Sequence, residues 1–85
     1  MFIHLGGDVM VSSKEVIAIF DLKMKEAADS TQEFLKVAEE EGFVVVVDEN
    51  ESKSFVVTNR KVYFSPISSL TLKKRAGFLE DLDER

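Results

Sequence analysis

The 85-residue sequence predicts a small α+β domain of about five short, mainly antiparallel strands with two helices, working as an oligomer. Three observations predict it. Short runs rich in β-branched and aromatic residues (FIHL, VIAIFD, FVVVVD, KSFVVT, KVYFS) are separated by Gly, Asn and Ser turn signals. Two stretches carry helix-start signals, and the first also has helical periodicity. Finally, VIAIF and FVVVV are apolar on both alternating faces, whereas a strand with one wet face alternates apolar and polar.

Along the chain, FIHL is the first strand and Gly6-Gly7-Asp8 ends it as a tight turn into VMV. Ser12-Ser13-Lys14-Glu15 has capping-box spacing and predicts one helical turn. VIAIFD follows as a strand. A helix is predicted from about Thr31 to Glu41, with Ser30 as its cap and Glu33 completing the box. Phe34, Leu35 and Ala38 share one face, and Gly42 stands where a left-handed residue closes a helix. The run Glu39-Glu40-Glu41 places anions at the negative end of the helix dipole.

FVVVVD is then a strand, DENES a turn and KSFVVT a strand. Asn59-Arg60 predicts a two-residue hairpin turn, Asn59 supplying a left-handed position, and KVYFS completes the hairpin. Pro66 stops it. Ser68 or Ser69 caps a short helix carrying LTLKKR, which Gly77 interrupts. FLEDLDER continues as a weakly amphipathic segment. The organisation is one domain over 1–75 followed by an acidic tail, 76–85.

A chain of this length buries only about 60–65% of the surface its unfolded form exposes. It has no cysteine, so disulfides and cysteine-ligated zinc cannot reinforce the core. Two short helices cannot cover both faces of a five-stranded sheet, and the apolar surface left over predicts a homo-oligomer. With 45% hydrophobic and 32% charged residues the chain has a soluble globular balance. Its N-terminus lacks a basic leader, and nothing approaches the roughly 18 apolar residues of a membrane span. The expectation is a cytoplasmic protein without a membrane partner.

Charge is segregated. The net charge is -5, which argues against a general nucleic-acid binder. From Glu26 to Glu51, however, there are nine acids and one base, while Ser52 to Arg75 holds six bases and no acid. The basic set is Lys53, Arg60, Lys61, Lys73, Lys74 and Arg75, with Lys14 upstream. It reads either as a solvated face that offsets the acidic helix or as a phosphate-binding surface. One subunit would bind weakly, and an oligomer repeating the surface would multiply the effect.

Catalytic chemistry finds no support. His4 is the only histidine and has neither a second histidine nor a cysteine to join it at a metal. Gly6-Gly7-Asp8 lacks the spacing of a dinucleotide loop. The acids Asp48, Glu49, Glu51 and those of the tail lack the calcium-loop pattern. Ser52, Ser54, Ser65, Ser68 and Ser69 stand in no nucleophile motif, and Ser65, Ser68 and Ser69 read as backbone caps around Pro66. The expectation is a protein that is not an enzyme and uses no cofactor or metal.

MFIHLGGDVMVSSKEVIAIFD and KSFVVTNRKVYFSPISSLTLKKR resemble the RemA/RemB family of small bacterial extracellular matrix regulators, over nearly the whole chain to about Arg75. The specific stretches are the F-I-H-L-G start, the K-S-F-V-V-T strand and the S-P-I-S-S-x-T-L-K-K-R end. The resemblance implies a cytoplasmic, oligomeric, DNA-binding regulator of biofilm-matrix genes. RemA-like proteins carry arginines after the second strand and in the central turn. The matching stretches here, SSKE and NESKS, offer Lys14 and Lys53, with Glu51 and Ser52 in the arginine-rich turn. Two functions therefore stand open: a DNA-binding regulator, or an adaptor that partners a RemA-like protein without touching DNA. In the second, the Lys73-Lys74-Arg75 run pairs with Glu39–Glu41 of a neighbouring subunit.

Overall fold

The computed structural model describes residues 1–23 and 29–77. The elements run β1 (Phe2–Gly6), β2 (Val9–Ser12), a 3-10 turn (Ser13–Glu15), β3 (Val16–Asp21), α1 (Asp29–Glu40), β4 (Val44–Val46), β5 (Ser54–Thr58), β6 (Val62–Ser65) and α2 (Ser69–Arg75). The class is α+β as expected, with six strands in place of about five. β1 and β2 form an antiparallel hairpin of their own. The other four make a sheet in the order β3-β5-β6-β4, antiparallel except for β4 beside β6.

That sheet is covered on both faces. On one, Leu35 and Ala38 of α1 pack on Phe55 and Val62, with Phe20 and Phe64 alongside. On the other, Ile3, Leu5 and Val11 of the β1–β2 hairpin and Leu72 of α2 pack on Ile19 and Val56. Adjacent residues of β5 thus serve opposite faces. Its SFVVT sequence is apolar in succession because the strand is central and dry on both sides.

The source of leftover apolar surface therefore differs from the expectation. The β1–β2 hairpin, not a helix, supplies most of the second cover. VIAIF and FVVVV turn out to be edge strands, and only Val44–Val46 of the latter is strand. Apolar surface does remain, at Met1, Phe2, Met10, Val46 and Leu70 and, around one hollow, at Ile17, Phe34, Val37 and Phe43.

Several local signals hold in detail. Ser12 caps the 3-10 turn by accepting from the Lys14 N–H at 3.3 Å. Gly42 lies at φ +79°, and the Gly42 and Phe43 N–H groups donate to the Glu39 and Ala38 carbonyls at 3.1 and 2.8 Å. These two bonds are a Schellman closure, which only a left-handed residue permits at low strain. Ser68 caps α2 by accepting from the Thr71 N–H.

Others do not hold. α1 begins at Asp29, so Ser30 lies inside its first turn and is not its cap. No residue other than glycine has a positive φ among the described residues, so Asn59 is not left-handed. The β5–β6 connection is instead organised by Thr58, whose hydroxyl accepts from the Arg60 and Lys61 N–H groups and donates to the Lys61 carbonyl. A buried side-chain hydroxyl replaces the backbone geometry that Asn59 seemed to offer. Gly77, at φ +82°, follows α2, and the Ala76 and Gly77 N–H groups complete its cap by donating to the Leu72 and Lys74 carbonyls. The segment FLEDLDER lies outside the described residues.

Ser65 joins the two halves of the fold. It is fully buried, donates to the Leu5 carbonyl at 2.7 Å and accepts from the Ile67 N–H at 3.0 Å. Ser65→Ala removes both partners and should cost about 1–3 kcal/mol, the desolvation cost of stranded buried groups. An unchanged urea midpoint would show that Leu5 and Ile67 find other partners.

Candidate functional site

The seven cations singled out in the sequence fall into three groups. The first is at the β5–β6 tip, where Arg60 and Lys61 are both exposed. The Asn59 N–H donates to the Glu15 carbonyl at 3.1 Å, which ties the 3-10 turn carrying Lys14 to this tip. Lys14 is exposed as well. Sequence reasoning had no means of bringing Lys14 here, because the link is the pairing of β3 with β5, Val16 opposite Thr58, extended by this bond between distant segments.

The second group is at the opposite end of β5. Lys53 precedes the strand, its N–H donating to the Ser65 carbonyl at 2.7 Å and its carbonyl accepting from the Leu22 N–H at 3.0 Å. The five residues of β5, about 17 Å of strand, separate it from the tip. Lys53, Lys23, Ser52, Ser68 and Ser69 line a shared hollow of about 450 Å³ with Asp21 and Leu22. Lys23 was missed by the sequence reading. The signal for it was the step from the VIAIFD strand straight into Leu22-Lys23, which places a cation at the strand end. Asp21 accepts from the Lys23 N–H at 2.9 Å, an Asx-type turn that fixes the exit from β3.

The third group is the last turn of α2, with Lys73 half-buried and Lys74 and Arg75 exposed. Cations are favoured at a helix C-terminus because the last carbonyls carry partial negative charge. Arg75 also has a structural role, since its Nη1 donates to the His4 carbonyl at 2.9 Å and clamps α2 to β1. His4 is itself committed, its Nε2 donating to the Gly7 carbonyl across the β1–β2 turn at 2.7 Å.

The arrangement suits contact with an extended polyanion better than capture of a small anion. Lysines dominate the three groups, and only Arg60 and Arg75 carry the planar fork that binds a base edge or phosphate with two bonds. Arg75 already spends one donor on His4. The exposed Glu51 stands two residues from Lys53 and opposes an anion there. Glu39, Glu40 and Glu41 are exposed at the far end of α1. Among the described residues, no three His, Cys, Asp or Glu side chains are grouped so as to hold a metal ion. No described helix is long and apolar enough to cross a membrane.

The family model of extracellular matrix regulatory protein A-like (RemA-like) proteins matches residues 2–76. Extracellular matrix regulatory protein B of Bacillus subtilis (strain 168) is 43% identical over 83 residues, covering 98% of this chain and 99% of that protein. The matched span includes all three cationic groups.

Proposed function

This chain belongs to the RemA-like family, and on that premise we propose that it is a non-enzymatic regulator of extracellular-matrix genes, a homo-oligomer that holds DNA by its phosphates. The observation that carries the DNA reading is the distribution of cations: three groups on separated parts of one small subunit, six of the seven cations within a stretch free of acids from Ser52 to Arg75. A single subunit of net charge -5 offers too few contacts for tight binding. Repetition of the groups around an oligomer raises the effective concentration of each further contact. The work of such a protein is in the cytoplasm, where the DNA is.

The expected behaviour is steep loss of affinity with salt, the log-log slope being about -0.9 for each phosphate neutralised. Lys73→Ala with Lys74→Ala should make the slope shallower by up to about 1.8 per engaged subunit. It should also weaken different duplex sequences alike, because phosphate contacts carry no sequence information. Fluorescence anisotropy on two unrelated duplexes across a salt series measures both effects. Absence of salt-sensitive binding at low ionic strength would rule out direct DNA contact.

That outcome would leave the adaptor reading, in which the protein partners a RemA-like regulator. Glu51 and Ser52 beside Lys53 favour it, since an acid and a neutral residue there weaken phosphate contact.

A further inference from the structure

One concavity sets apolar surface beside the first cationic group. It lies between α1 and the β5–β6 tip and encloses about 560 Å³. Its floor includes Val57 and Val62, and Ile17, Phe34, Val37 and Phe43 border it. Those last four are 64%, 46%, 49% and 49% exposed. Single exposed apolar residues are ordinary, but four around one hollow mark an interaction surface. Local structure explains why they gather there. Ile17 sits at the β3 bulge between Val16 and Ala18, on an edge strand, and Phe43 follows the left-handed Gly42. The charged residues lining the hollow are Arg60 and Lys61, both cations. An occupant with apolar side chains interspersed with carboxylates fits such a surface.

The chain carries that chemistry itself. Residues 78–85, FLEDLDER, set Phe78, Leu79 and Leu82 among Glu80, Asp81, Asp83 and Glu84. The chain enters the segment on the face of its own subunit that points away from the groove. Ala76 packs on the face of the sheet opposite α1, in the cluster of Ile3, Leu5 and Leu72, whereas the groove is on the α1 face. Packed layers lie about 10 Å apart. Phe78 and Leu79 follow Gly77 by at most about 7 Å of chain, which does not carry them around the sheet.

We propose that the groove between α1 and the β5–β6 tip seats the acidic C-terminal segment 78–85 of a second copy of this chain. The inference rests on the homo-oligomer reading above and supplies one of its contacts. The contact joins two different surfaces, so each copy offers one groove and one segment. Arg60 and Lys61 then face carboxylates of the neighbouring copy, leaving Lys14, Lys53, Lys73 and Lys74 for phosphate.

The test uses two full-length variants. Val37→Glu spoils the groove at an exposed position and keeps the segment. Leu79→Asp with Leu82→Asp spoils the segment and keeps the groove. Both are checked by circular dichroism, and Arg60→Glu with Lys61→Glu replaces Val37→Glu should that variant unfold. Light scattering at micromolar concentration is expected to show an oligomer for the wild type and monomers for each variant alone. An equimolar mixture should give a pair of twice the monomer mass, formed through the one intact groove and the one intact segment. A wild-type oligomer that both variants retain overturns this contact and leaves the homo-oligomer reading standing. A wild-type monomer overturns that reading and this contact together. Monomeric variants that do not pair on mixing also overturn the proposal, because the segment then acts within its own chain.

Discussion

Phe55→Ala is expected to remove most of the fold's stability. Phe55 is 1% exposed and sits on β5, one of the two inner strands of the four-stranded sheet, under Leu35 and Ala38. Its ring stacks between Phe20 and Phe64, at centroid distances of 5.0 and 6.0 Å. Truncating a buried Phe costs about 3–5 kcal/mol through lost transfer energy and the cavity left behind. Each lost aromatic pair adds about 0.5–1.5 kcal/mol. Domains of this size hold roughly 0.05–0.15 kcal/mol per residue, so the loss is comparable to the total. The thermal midpoint should fall by more than about 12 °C, or the cooperative transition should vanish. Phe2→Ala is the control, since Phe2 is 67% exposed and should change stability by about 0.5 kcal/mol or less. Equal behaviour of the two variants would mean that the Phe20–Phe55–Phe64 stack does not carry the α1 side of the core.

Gly6→Ala is the second large effect. Gly6 has φ +117°, a conformation that residues with a Cβ avoid. A Cβ built there meets Pro66 Cγ and Cδ at 3.1 and 3.2 Å and Val47 Cγ1 at 3.3 Å. Backbone strain of about 1–3 kcal/mol and overpacking of about 1–3 kcal/mol act together, because the β1–β2 hairpin crosses the Pro66 turn at this point. Gly7→Ala separates the two causes: Gly7 has φ +53° and nothing within 4 Å of its added Cβ. That variant should cost only the left-handed contribution, about 1–2 kcal/mol. Urea midpoints for the two variants give the comparison. Matching midpoints would show that the contact with Pro66 and Val47 relaxes freely.

The cations show how far the candidate site could be read in one dimension. Lys73, Lys74 and Arg75 are consecutive, and the helix that carries them is announced by the Ser68 cap, so their clustering was legible. Lys53 and Arg60 look close in sequence, yet a strand between them forces them to opposite ends of the sheet. Lys14 and Arg60 look unrelated, yet the β3–β5 pairing and the Asn59–Glu15 hydrogen bond at its end bring their segments together. A strand converts short sequence separation into length, and only a cross-chain bond converts long separation into proximity.

Local pattern was enough to set the α+β class, the strand runs, the closure of α1 at Gly42, the caps at Ser12 and Ser68 and the segregation of charge. Each depends on φ preference, a nearby hydroxyl or composition, and so acts within a few residues. Long-range packing was needed to make SFVVT central and VIAIF and FVVVV edges, and to lay a β hairpin over the sheet opposite α1. It was needed too for Thr58, rather than Asn59, to shape the tip. Apolar runs of similar composition compete nearly equally for the middle of a sheet. The winner is the pairing that buries Phe55 and Val56 at once, one on each face, and that depends on partners brought from both ends of the chain.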